Sequence, residues 1–483
     1  MNNIGLRVAL AVGLLLTVLY ILLFNPIYQA GDTSSYIKYA EAIASNTTTS
    51  NFIHRSPLYP WLLSSFIKPL DLHVFAKLVV VMQYILVFFT GIILYLITSS
   101  YFSGYLIPVS ASILYYTNFS TIFYGYMVLT ETLASFLFVI SVWLLIKGSR
   151  SLNNGYFLFS GVTISLTVLC RFNTLPMVLV FLAILLWLEF RKKSIYLKST
   201  MIRSSYFILP IIVLLNAYAF YNNKTHGFYG IFPMGGSRTV SRNAIINTLD
   251  GSESVSEKNK PVFEIFKRAI IEQARNKPEP RKGSLNLPYR DLTLPKLYSG
   301  YPIYLNALPE LCNYFGIDIR SPEPDISNAL APFYSEIRKI NRLKVWELRV
   351  LSLISSFRSS TGLIASDGTH VNIEKLPEWL IVFYKIAVIV VSVFVFFASI
   401  VYVVLIVKKK IAPNNLIMIS IMLYSGFLFI NFALATVADA NRYKFPVEPF
   451  VIILCLYFAV KIIKWLRDRL FREEKNLYVI PIK

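Results

Sequence analysis

Long apolar runs divide this chain, and they leave it one kind of architecture. A helix that crosses a bilayer needs about 20 mostly apolar residues. About ten stretches qualify: near Leu6–Phe24, Val74–Thr98, Tyr105–Phe123, Leu129–Lys147, Gly155–Cys170, Leu175–Phe190, Tyr206–Tyr221, Leu380–Val407, Leu416–Val437 and Val447–Ile463. The third and fifth are interrupted by Ser, Thr and Asn. The expected fold is therefore an all-α polytopic membrane protein of about 10 transmembrane helices. Only 15% of the residues are charged, against about 25% in soluble domains, which excludes an ordinary cytosolic globular protein. The first run is long for a signal peptide, and Tyr28-Gln29-Ala30 offers a bulky residue where cleavage requires a small one, so it reads as an uncleaved helix.

The 47 Lys+Arg against 26 Asp+Glu give a net charge of +21. In a soluble protein that excess would point to nucleic acid. Here the basic clusters abut the spans: Arg7, Lys147 with Arg150, Arg191-Lys192-Lys193 with Lys198 and Arg203, Lys408-Lys409-Lys410, and Lys461 to Arg472. With ten spans all of them fall on one side. The positive-inside rule makes that side cytoplasmic, with both termini inside, and no nucleic-acid partner is expected. Cys170, Cys312 and Cys455 are far apart, with no CxxC or metal spacing.

The opposite face then receives a first loop over 25–73 and a large insert. Residues 1–221 form an N-terminal transmembrane module, 222–378 an extracytoplasmic soluble insert of mixed structure, 379–463 the C-terminal spans and 464–483 a cytoplasmic tail. Within the insert, Ile337–Arg358 spaces Ile340, Leu343, Trp346, Val350, Leu353 and Phe357 three or four residues apart among basic residues. Such a helix either packs on the membrane helices or lies on an anionic leaflet. His226 and His370 lack Cys or acid partners at ligand spacing and read as surface residues.

Four polar constellations map to the non-cytoplasmic ends of spans. Asp32 precedes a helix-compatible run, where it suits an N-cap. In His54-Arg55-Ser56-Pro57-Leu58-Tyr59-Pro60-Trp61, the prolines argue against a helix start before Pro60. Tyr59 and Trp61 would anchor an interfacial segment, and Arg55 either snorkels or binds substrate. Arg171 opposes the positive-inside trend, with Glu131 as its candidate salt-bridge partner. Arg442 and Lys444 do the same between the last two spans, and with Tyr443 they serve as interfacial anchors or as a binding group. One acid and several arginines on one membrane face suit general-base chemistry beside a phosphate, because guanidinium forks hold phosphate oxygens bidentately.

At these residues the chain resembles the GT-C-fold glycosyltransferases that use polyprenyl-phosphate sugars, akin to the protein O-mannosyltransferases and the lipid A aminoarabinose transferase. The likeness rests on Gly31-Asp32 with Tyr36, on Arg55–Pro60, on Arg171 and on Arg442–Pro449. The resemblance implies inverting transfer from a polyprenyl-phosphate-linked donor to a glycan, lipid or protein acceptor, in building cell-envelope polysaccharide or a related glycan. Asp32 would be the catalytic base. Arg55, Tyr59, Glu131, Arg171, Arg442, Tyr443 and Lys444 would contact substrate. Many relatives carry a second acid where this chain has Thr33, so neither a metal nor another cofactor is expected. The resemblance favours a bacterial inner membrane over the endoplasmic reticulum. The alternatives are a polysaccharide polymerase or ligase using lipid pyrophosphate donors, and a flippase-like transporter, which would carry ionisable residues deep within its spans.

Overall fold

The computed structural model describes residues 3–24, 26, 32–47, 55–67, 70–151, 153–192, 197–231, 255–275, 300–318, 323–340, 342, 346, 349–350, 353, 357, 378–434 and 442–477. These are mostly helical, with no extended strand among the described residues. Backbone groups in hydrocarbon have no water to bond, so each helix closes its own hydrogen bonds. Eight helices are long and apolar enough to cross a membrane: Ile4–Leu23, Leu72–Ser99, Glu131–Ser151, Phe172–Phe190, Leu197–His226, Ile386–Val407, Asn415–Ala433 and Lys444–Asp468.

The two remaining runs are the polar-interrupted ones. The third breaks into two helices at Thr117-Asn118. The Asn118 backbone turns extended, and its side chain accepts from the Ser120 N–H to begin a new helix. The fifth gives one helix of 17 residues. The elements are α1 (Asn3–Leu23), α2 (Asp32–Ala44), α3 (Leu58–Ile67), α4 (Leu72–Ser99), α5 (Leu106–Tyr116), α6 (Phe119–Tyr126), α7 (Glu131–Ser151), α8 (Asn154–Cys170), α9 (Met177–Phe190) and α10 (Leu197–His226). After the start of the insert come α11 (Lys260–Arg275), α12 (Gly300–Phe315), α13 (Glu323–Ile340), α14 (Glu378–Val407), α15 (Asn415–Leu434) and α16 (Glu448–Leu477).

α7 and α8 are antiparallel and in close register. Ser141 and Ser160 exchange hydroxyl-to-carbonyl bonds, both 2.8 Å, near their midpoints. Small residues also let α8 meet α10: a Cβ on Gly161 would lie 2.2 Å from the Phe207 carbonyl oxygen. Small-residue contacts of this kind replace the missing hydrophobic drive between helices in lipid. Tyr116 of α5 fills the space left by Gly91 of α4, and its hydroxyl donates to the Phe88 carbonyl at 3.0 Å.

α3 starts at Leu58, two residues before the expected limit. Pro60 occupies the third helical position, where the N–H it lacks would have had no intrahelical partner. The insert, expected to be of mixed structure, is helical over its described residues and has its own core. Val262, Phe263, Phe266 and Ala269 of α11 meet Leu311 of α12 and Leu330 and Phe333 of α13. The amphipathic segment beyond α13 packs on the membrane helices at its described positions: Trp346 on Phe432 at 5.4 Å and Phe357 on Phe396 at 5.5 Å. His370 and residues 439–441 lie outside the described residues.

The basic connections share one end of the bundle. Arg150 in the last turn of α7 donates to the Ser100 carbonyl beyond α4 at 2.9 Å. Arg203 of α10 and Lys192 after α9 both pair with buried Glu189.

Candidate functional site

The opposite end holds the predicted polar residues. Asp32 opens α2, where a carboxylate meets the positive end of the helix dipole. Arg55 lies just before α3 and donates from Nη2 to Asp32 Oδ1 at 2.6 Å. One turn beyond Asp32, the Tyr36 ring lies under the same guanidinium, 5.2 Å from its centre. Tyr36 meets the buried Tyr59 ring edge-on at 5.7 Å. Both members of the ion pair are part-exposed, Arg55 at 19% and Asp32 at 32%.

Tyr59 is anchored inside the bundle and does not sit at an interface. Its hydroxyl donates to Gln83 Oε1 at 2.7 Å. The same amide donates from Nε2 to the carbonyls of Tyr124, Gly125 and Met127 at 3.2, 3.0 and 2.7 Å. Gln83 therefore fixes the chain between α6 and α7, next to where Glu131 begins its helix. Sequence reasoning missed it, because a lone Gln inside an apolar run leaves the helical pattern unchanged. The signal was the polar residue itself: a buried amide in lipid must be satisfied within the protein.

Glu131 and Arg171 form a second pair at 2.7 Å, exposed by only 0% and 7%. The α7–α8 register produces it, because the start of α7 meets the end of α8. Arg171 also donates to Thr130 Oγ1 at 3.3 Å. The salt bridge considered for these residues is thus the geometry found, and neither side chain is open to a substrate as placed. A hydrogen bond from the Phe172 N–H to Ser56 Oγ at 3.3 Å ties the second pair to the segment carrying Arg55. Trp61 packs edge-on against Tyr218 and Tyr221 of α10, and Phe172 stacks on Tyr218.

The last constellation forms a short 3-10 turn, Arg442–Val447, that packs into the bundle. Lys444 was expected at the surface as an anchor or binding group, but it is buried and donates from Nζ to Ser392 Oγ of α14 at 2.8 Å. One turn on, buried Glu448 accepts from Asn118 Nδ2 at 3.1 Å. The Phe445 ring lies 4.9 Å from that of Tyr124, which places the turn beside the α6–α7 connection. The Arg442 and Tyr443 side chains lie outside the described residues; their backbone opens this turn.

Five predicted residues therefore gather at one end: Asp32 with Arg55 part-exposed, Tyr59 beneath them, and Glu131 with Arg171 buried alongside. Lys444 is turned to α14. Thr33, which follows Asp32, is fully buried. Comparisons with protein-family models, curated proteins and solved structures find no match.

Proposed function

We propose that this chain is an integral-membrane glycosyltransferase that moves a sugar, with inversion, from a polyprenyl-phosphate donor to an acceptor hydroxyl. The observation that carries the reading is the Asp32–Arg55 pair, a solvent-accessible carboxylate held by a guanidinium at the end of the bundle away from the basic connections. The positive-inside rule makes that end extracytoplasmic, and a bacterial inner membrane fits best.

The acceptor oxygen attacks the anomeric carbon as Asp32 takes its proton. The bond from that carbon to the phosphate oxygen breaks, and its electron pair leaves with the lipid phosphate. A phosphate is already a good leaving group, so the reaction needs no general acid. Arg442 and Arg55 bind the phosphate and stabilise the charge that develops on it, the role for which fixed cations in a low-dielectric site are most effective. Arg171, locked to Glu131, acts through the Phe172–Ser56 bond as a positioning residue. The charged groups lie at helix ends and not mid-span, which favours this reading over a transporter.

The test uses purified protein and a radiolabelled polyprenyl-phosphate sugar. Asp32→Asn should lower transfer by about 10²- to 10⁴-fold, the usual worth of a general base, with donor binding retained. Full transfer by this variant would sink the mechanism. Arg442→Ala should weaken donor binding, and unchanged affinity would remove it from the phosphate site.

A further inference from the structure

At the basic end, a groove of about 570 Å³ opens between the end of α9 and the turn from α14 to α15. Its wall includes Trp187, Phe190 and Ile406, and its cations are Arg191, Lys409 and Lys410. Nearby Lys192 and Arg203 both pair with Glu189. The three groove cations have no acidic partner among the described residues.

The backbone supplies a second, independent observation. α14 ends in a Schellman turn, with Lys410 N–H bonded to the Leu405 carbonyl at 2.9 Å and Lys409 N–H to that of Ile406 at 2.8 Å. This motif puts its penultimate residue in the left-handed region, and Lys409 has φ of +56°. α12 ends the same way with Gly316 at +65°, and α2 with Asn46 at +52°. Glycine and asparagine are the residues that tolerate this conformation, whereas lysine is strained in it. At α14 the chain accepts that strain and keeps a cation at the groove.

We propose that the groove binds an anionic phospholipid of the adjoining leaflet, its phosphate held by Lys409, Lys410 and Arg191 and its acyl chain lying along the apolar wall. Phe190 and Val407 are 54% and 74% exposed beside the groove, so the wall runs onto the lipid-facing surface. A soluble anion would leave that wall uncovered. Basic pockets between membrane helices suit such headgroups.

The experiment measures lipid retention by native mass spectrometry on the full chain in mild detergent, with phosphatidylglycerol or phosphatidylcholine added. Phosphatidylglycerol should be retained in preference, each cation contributing about five-fold. Lys409→Gly should lose about that factor, since it removes one such charge while suiting the left-handed position. It should also fold at least as stably as the parent. Adding Arg191→Gln and Lys410→Gln should abolish the preference, and Lys461→Gln with Lys464→Gln, on exposed α16 positions, should leave it in place. Equal retention of the two lipids, an undiminished preference in Lys409→Gly, or displacement of the lipid by equimolar inorganic phosphate would overturn the proposal.

Discussion

Arg171 and Glu131 meet at 2.7 Å out of reach of solvent, whereas Asp32 and Arg55 meet at 2.6 Å within it. The two pairs lie at one end of the bundle and are joined through Ser56 and Phe172. Burial divides their roles. A buried pair is strongly destabilised when one partner is lost, because the other becomes an uncompensated charge. Glu131→Gln should therefore cost about 3–5 kcal/mol of stability in thermal or denaturant unfolding. Adding Arg171→Met should recover most of that loss, and a double variant no more stable than Glu131→Gln would contradict this account.

For the exposed pair the change should appear in rate. Arg55→Ala removes a donor to Asp32 and the cation over Tyr36, and should lower single-turnover transfer by about 10²-fold, as losing one preorganised electrostatic donor does. Arg55→Lys keeps the charge without the planar fork and should recover only part of the activity. Unfolding temperatures close to that of the parent in both variants would separate this effect from misfolding.

How much of this was legible in the sequence depends on the range of the signal. Apolar periodicity is local, so it marked every helix long enough to span. Two of the ten runs do not give a helix of that length: the third, where Asn118 caps a new helix, and the fifth, which ends after 17 residues; and a first turn accepts Pro60. The Glu131–Arg171 pair was open to anticipation because two consecutive antiparallel helices bring the start of one to the end of the next. The Asp32–Arg55 pair was not, since it depends on how two short helices pack. Lys444 misled because its segment has the composition of a surface loop, and only the packing of its turn against α7 and α15 shows the ammonium buried against Ser392.

Gln83 concentrates four hydrogen bonds in one amide, and replacing it tests how far the site depends on the α6–α7 connection. Gln83→Leu is nearly isosteric but strips the Tyr59 hydroxyl and the Gly125 carbonyl of their amide partner in a buried place, while the Tyr124 and Met127 carbonyls keep bonds from Thr132 Oγ1 and the Leu129 N–H. A buried group stripped of its partner costs about 1–3 kcal/mol. The variant should lose at least about 2 kcal/mol, since two buried groups lose their partner. Transfer should fall with it as the edge-on Tyr59–Tyr36 contact loosens. Parent-like stability would mean that the connection is held by packing alone.

In the insert, Glu336 of α13 clasps the start of α11. It accepts from Asn259 Nδ2, from Ser256 Oγ at 2.8 Å and from the Ser256 N–H at 2.6 Å. The bond from Asn259 is the largest of the influences that hold this carboxyl below the usual glutamate range, with the Ser256 bonds adding to it against the cost of burial. A pKa depressed in the folded state contributes stability that is fully present above the unfolded value. That stability is lost as pH falls through the folded one. The full-length chain should therefore lose protection of α11 against proteolysis as pH drops below about 4, the ordinary carboxylate range. Glu336→Gln has no charge to titrate. It should start less protected at neutral pH and show a shallower decline on acidification, with the two proteins converging at the acid end. Parallel pH profiles for parent and variant would show that the clasp contributes nothing to the stability of the insert.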